Sequence, residues 1–161
     1  KYIVGVTVWL FKKAIERGKY QNDENIFRSC IKTLSRNSPR GSYARDAHDL
    51  LEKHFKEKAF AWAKGEISKG TGYSFMNAWK ILKEGKDPLT VNPFYQSLYS
   101  AVQGKEVTGA LKIIAKEEDP ERRKHAVNVL EQALKKSAIK PDVKKEIRGT
   151  LTEIKKKRGS E

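Results

Sequence analysis

The chain has 161 residues, 34 of them Lys or Arg against 20 Asp or Glu, for a formal charge of +14, with 38% hydrophobic residues and one cysteine. That length buries a sizeable core, so a single helical domain over 1–161 is expected, and the apolar residues are too periodic for a disordered chain. A lone cysteine, Cys30, excludes an intramolecular disulfide framework and a zinc site built on several thiolates.

The opening KYIVGVTVWLF is apolar for about ten residues, too short to span a bilayer. It also lacks the small-residue cleavage pattern of a signal peptide. A soluble intracellular protein, cytoplasmic or nucleoid-associated, is the expectation, with no membrane insertion. Ile3, Val4, Val6 and Val8 have strand propensity, but Val4, Val8, Phe11 and Ile15 recur at helical spacing toward a stop at Gly18. The segment reads as helix, with Trp9 assigned to the core.

A second helix follows Asn22 or Asp23 as N-cap, turning Ile26, Cys30, Ile31 and Leu34 inward. After the break SRNSPRG, Ser42 is the expected N-cap of a long helix to about Lys64, with Ala47, Leu51, Phe55 and Trp62 on its inner stripe. GEISKGTG is a loop, and Ser74 to Glu84 a short helix carrying Phe75, Trp79 and Leu82. GKDPLTVNP, residues 85–93, is the most loop-like connection and the best subdomain boundary. Beyond it, Phe94, Leu98, Tyr99 and Val102 mark a helix ending near Gly104, and Val107 to Glu118 another. Asp119 caps a helix with Pro120 at its first position, running to about Ser137. The last helix shows one narrow stripe, Val143, Ile147, Leu151 and Ile154, above a basic end at 155–161. No stretch alternates with period two. The expected fold is all-α, an irregular bundle or a short solenoid-like array of seven to eight helices.

Several fragments imitate catalytic signatures. Pro141-Asp142 and Glu153-Ile154-Lys155 match a metal-dependent nuclease pattern, but one helix carries both acids about 16 Å apart, too far to share an ion. GEISKGT resembles a phosphate-binding loop with its lysine misplaced. His48 and His54 are six residues apart and point to different sides of a helix, so they form no joint metal face. His48 falls at the edge of the core stripe and His125 in a solvated or phosphate-facing turn. Asp46, Asp49 and Glu52 alternate with Arg45 and Lys53 as a solvated side with internal ion pairs. Cys30 sits on an apolar stripe as a core residue. No enzyme activity, no cofactor and no metal are expected.

The charge points instead to a polyanion. Its net value is +6 over residues 1–40, +2 over 41–80, −1 over 81–120 and +7 over 121–161, so the excess gathers toward both ends. A Lys-rich solvated surface of the heat-adapted kind is the bland alternative. At the break after the second helix, Lys32, Arg36, Arg40 and Arg45 surround Ser38, Pro39, Gly41, Ser42 and Tyr43. Backbone amides at the new helix start and the positive end of its dipole would hold an anion there, and a cap plus a turn would account for the same residues. Arg122, Arg123 and Lys124 sit against the dipole at another helix start, where each cation costs about 0.3–1 kcal/mol at worst. Lys155, Lys156 and Lys157 form a basic tail. Tyr20, Tyr43 and Tyr73 are candidates for base stacking. These features predict a largely sequence-independent nucleic-acid-binding protein, DNA or RNA, acting as a coat, architectural or small-subunit component beside protein partners. A helical scaffold for an acidic protein, docking through residues 81–120, is the alternative.

Overall fold

The apolar spacings close into helices throughout. The computed structural model describes residues 2–16 and 24–159, and nine α-helices and one 3₁₀ turn hold all the regular structure among them. The helices are α1 (Tyr2–Glu16), α2 (Glu24–Arg36), α3 (Ser42–His54), α4 (Lys56–Glu66), α5 (Gly72–Glu84), α6 (Pro93–Gln103), α7 (Val107–Ala115), α8 (Pro120–Leu134) and α9 (Pro141–Gly159). The expected stop at Gly18, the cap at Asn22 or Asp23 and the ring of Tyr20 lie outside the described residues.

The count exceeds the expected seven or eight because the long helix from Ser42 is two. Phe55, at φ −137° and ψ 32°, ends α3 and begins α4. No glycine or proline marks this break. Phe55 is buried and its ring lies 5.9 Å from that of Phe27, so tertiary packing of one aromatic side chain turns the chain where local propensity would continue it.

The chain divides into two compact units, one within Lys1–Ile67 and Tyr73–Gly85, the other within Ser68–Gly72 and Lys86–Glu161. In the first, α1, α2 and α3 pack on one another and α4 packs on α3. Their core joins Val8, Ile15, Ile26, Cys30, Leu34, Leu51 and Phe55, with Phe11, Trp62 and Ile81 at its edge. Trp9 is not part of it: successive helical residues point about 100° apart, and with Val8 inward Trp9 is 46% exposed. Cys30 is fully buried, and desolvation pushes its thiol up to about 12, so it stays protonated.

In the second unit α6 packs on α7 and α8, and α9 on the same two, so four helices close a ring around Leu98, Leu111, Ile114, Leu130, Ile147 and Ile154. Two of its helix starts carry a side-chain cap, the one at Asp119 as the sequence indicates, and α7, entered from Glu106, carries none. Asn92 Oδ1 accepts from Phe94 N at 2.9 Å with Pro93 following, and Asp119 Oδ1 accepts from Glu121 N at 2.8 Å and Arg122 N at 3.1 Å with Pro120 following. Gly104, at φ +74°, stops α6 in the left-handed conformation. Among the described residues no helix is long and apolar enough to cross a membrane.

Candidate nucleic-acid interface

The break between α2 and α3 is built from its own backbone outward. Gly41 N donates to Ser38 O at 2.9 Å, Arg40 N to Ser38 Oγ at 3.3 Å, and Asn37 Nδ2 reaches back to Thr33 O at 2.9 Å. Gly41, extended at φ −75° and ψ 152°, is the N-cap in place of Ser42, which is exposed in the first turn. No side chain caps α3, in contrast to the acceptors supplied by Asn92 and Asp119 in the second unit.

A residue from α5 fixes this turn from behind. Asn77, fully buried, donates from Nδ2 to Leu34 O at 2.7 Å, Asn37 O at 2.9 Å and Tyr73 O at 3.0 Å. Two of these carbonyls belong to the end of α2 and the turn beyond it, where a helix leaves its last acceptors unpaired. Asn77 Oδ1 in turn lies 2.8 Å from Nε2 of the buried His48 on α3. One amide therefore ties α2, α3 and α5 together under the basic corner. Reading the sequence misses it, because an asparagine within the run YSFMNAWKI carries no local sign of distant partners.

Lys32, Arg36, Arg40 and Arg45 are all exposed around this turn, and none forms an ion pair among the described residues. The acids of α3 expected to neutralise that face are engaged elsewhere: Lys12 of α1 binds Asp46 at 3.2 Å and Asp49 at 3.1 Å. The bond to Asp49 leads in raising the pKa of Lys12, and the one to Asp46 adds to it. Tyr43 is half-buried beside the turn.

The junction at Phe55 repeats the arrangement. No side chain caps α4, and exposed Lys53 and Lys56 flank its start, while Lys58 is taken by Glu24 at 2.7 Å. Residues 53–58 line an open depression of about 400 Å³. The sequence hid this uncapped start inside one continuous apolar stripe.

The cations of the second unit are placed differently from expectation. Arg123 continues the inner stripe of Ala126, Val127 and Leu130 and is buried, donating to Glu117 O at 3.3 Å. Arg122 lies over the rings of Tyr95 at 5.7 Å and Phe94 at 6.0 Å and pairs with Glu117 at 3.8 Å. Both hold the connection before α8 in place; of this trio Lys124 alone is exposed and without an ion pair among the described residues. His125, expected in a solvated or phosphate-facing turn, is buried with Nε2 2.8 Å from Gly70 O.

Nor do Lys155, Lys156 and Lys157 form a loose basic tail. They belong to α9, in which Lys155 pairs with Glu131 at 2.8 Å and Lys157 donates to Ala115 O, the last carbonyl of α7. Lys157 lies three residues beyond Ile154 on the inner stripe, which brings its ammonium to that helix end. Lys156 is exposed and also engaged.

Comparison with protein-family models, curated proteins and solved structures gives no match. What the geometry offers chemically rests on the first unit, where rigid backbone, uncapped helix starts and unpaired guanidinium groups present donors to an anion. Asp142 and Glu153 stand along the single helix α9, and no group of three or more His, Cys, Asp or Glu gathers for a metal among the described residues.

Proposed function

We propose that the chain is a non-enzymatic nucleic-acid-binding protein that grips the phosphate backbone with little sequence reading, as a structural component of a nucleoprotein assembly. The observation that carries this reading is the corner at residues 32–45: four exposed cations without ion pairs among the described residues stand around an uncapped helix start, and Asn77 holds the end of α2 and the turn that lead into it. A solvated surface would gain from pairing Arg45 with Asp49, four residues on along α3; here Asp49, with Asp46, serves Lys12 instead. Phosphate contacts of this kind fix position and carry no base sequence, which suits a coat, architectural or small-subunit role.

Fluorescence anisotropy of nuclease-treated protein against single- and double-stranded DNA and RNA, from 50 to 300 mM salt, tests it. Four phosphate contacts predict a log-log salt slope of about −3.6 on duplex DNA. The double variant Arg36→Gln/Arg40→Gln, at exposed positions, should lower affinity evenly across sequences and flatten that slope by about 1.8. Flat traces at 50 mM salt overturn the reading.

The second reading, a helical scaffold for an acidic partner, draws on Val91 and Ile113, exposed by 71% and 45% in the near-neutral quarter of the chain. Raised absorbance at 260 nm in purified material favours the first reading over this one.

A further inference from the structure

Within the first unit, α3, α4 and α5 leave a cavity of about 110 Å³ whose composition opposes that of the protein around it. Its floor is buried: Leu51, Ala59 and the imidazole of His48. Half-buried Phe60 forms a wall, and Gly85 lets that ring lie close, since a Cβ there would stand 2.7 Å from Phe60 Cε2. At the exposed mouth are two carboxylates, Glu52 and Glu84, against one cation, Lys56, and none of the three forms an ion pair among the described residues. Glu84 is also the last residue of α5, so the negative end of that helix dipole lies at the same edge.

We propose that this cavity binds a small organic cation, an apolar body of about benzyl size carrying a primary ammonium. The apolar floor and the Phe60 face accept the body, and the two unpaired carboxylates and the α5 C-terminus receive the ammonium. Among the lining residues two carboxylates thus face one ammonium in a chain of formal charge +14, while Lys64 stands 5.6 Å over the Phe60 ring and Lys80 acts on His48 from outside the lining. A cation finds its partners there in the two carboxylates themselves, which no cation of the chain pairs among the described residues. His48 contributes one further group. Its Nε2 is committed to Asn77, so Nδ1 is the ring atom left to accept a ligand N–H. Burial, the leading cause, lowers the pKa of this imidazole, which favours the neutral form that can accept.

Benzylamine and benzyl alcohol are the probes, titrated into the isotope-labelled full chain and followed by the resonances of His48, Phe60 and Gly85. Benzylamine should give saturable shifts at these residues with Kd on the order of 1 mM. Benzyl alcohol, equal in shape and uncharged, should bind about tenfold more weakly. The double variant Glu52→Gln/Glu84→Gln alters exposed side chains only, and it should bring benzylamine down to the affinity of benzyl alcohol while thermal unfolding stays in place. Equal affinity of the two probes for the unaltered protein overturns the proposal, as does the absence of shifts at His48 and Phe60 at concentrations that would saturate such a site. Benzylamine affinity unchanged by the double variant overturns it too.

Discussion

His48 Nε2 lies 2.8 Å from Asn77 Oδ1, and the direction of that bond is set by the rest of the network. Asn77 Nδ2 faces three carbonyls, so its oxygen must face the imidazole and His48 must carry the proton on Nε2. Asn77→Ala leaves a buried N–H and the carbonyls of Leu34 and Asn37 without their partner. Chemical denaturation should show a loss of about 2–4 kcal/mol. The same variant should weaken nucleic-acid binding although it removes no charge, because the corner loses the support that fixes Arg36 and Arg40. Stability lost with binding unchanged would mean that the turn holds its shape by its own bonds.

Acid should act on this network through His48. Burial leads in lowering its pKa from the ordinary imidazole value of 6.5, Lys80 adds to the lowering, and the Asn77 bond and Asp49 oppose it. Glu52, Glu84 and Lys56 face the same cavity. With the folded pKa below the unfolded one, the unfolded chain takes up the proton first. Stability is therefore fully present above pH 6.5 and falls as the pH drops through the window below it. Denaturation midpoints taken from about pH 7 to about pH 5 should decline, and His48→Gln, which can still donate to Asn77 but does not titrate, should decline less. Parallel slopes for the two proteins would place the titrating group elsewhere.

Which lysines belong to the fold can be separated by substitution. Lys157 donates to Ala115 O at the end of α7, whereas Lys124 is exposed and has no ion pair among the described residues. Lys157→Met should cost about 0.5–1.5 kcal/mol, and Lys124→Met should stay within about 0.5 kcal/mol of the unaltered protein. In binding experiments the order should reverse, with Lys124→Met carrying whatever salt-dependent affinity is lost. Equal stability of the two variants would show that the α7 carbonyl is as well served by water.

The same contrast shows what could be read from the sequence. Helix type and most helix ends were legible, since Pro120 after Asp119 and Gly104 after an apolar run act through local geometry. The basic corner was legible as composition, and its lack of a side-chain cap was not, because Ser42 and Gly41 are both acceptable there and only the turn geometry chooses. Arg123 and His125 are buried for one reason that residue type conceals: each continues an apolar stripe by three or four residues. Lys157 is exposed, and what the sequence does not show is its bond to Ala115 O. Asn77 depends on partners about forty residues away, beyond any local pattern.

The break at Phe55 makes the sharpest test of tertiary over local preference. Residues 42–66 form good helix on both sides of it, so the residue at the junction is held non-helical by its ring and not by its backbone chemistry. Phe55 is 4% exposed in the core and pairs with Phe27 at 5.9 Å. In Phe55→Ala the anchor is gone, and alanine is the best helix former. Denaturation should show a loss of about 3–5 kcal/mol from the missing ring. Far-UV circular dichroism of the folded variant should show helicity equal to or above that of the unaltered protein, as α3 and α4 become free to join. The flanks Lys53 and Lys56 would then sit along a continuous helix with no uncapped start between them, so binding to nucleic acid should fall as well. A cost below about 1 kcal/mol would mean that the ring is not what bends the chain.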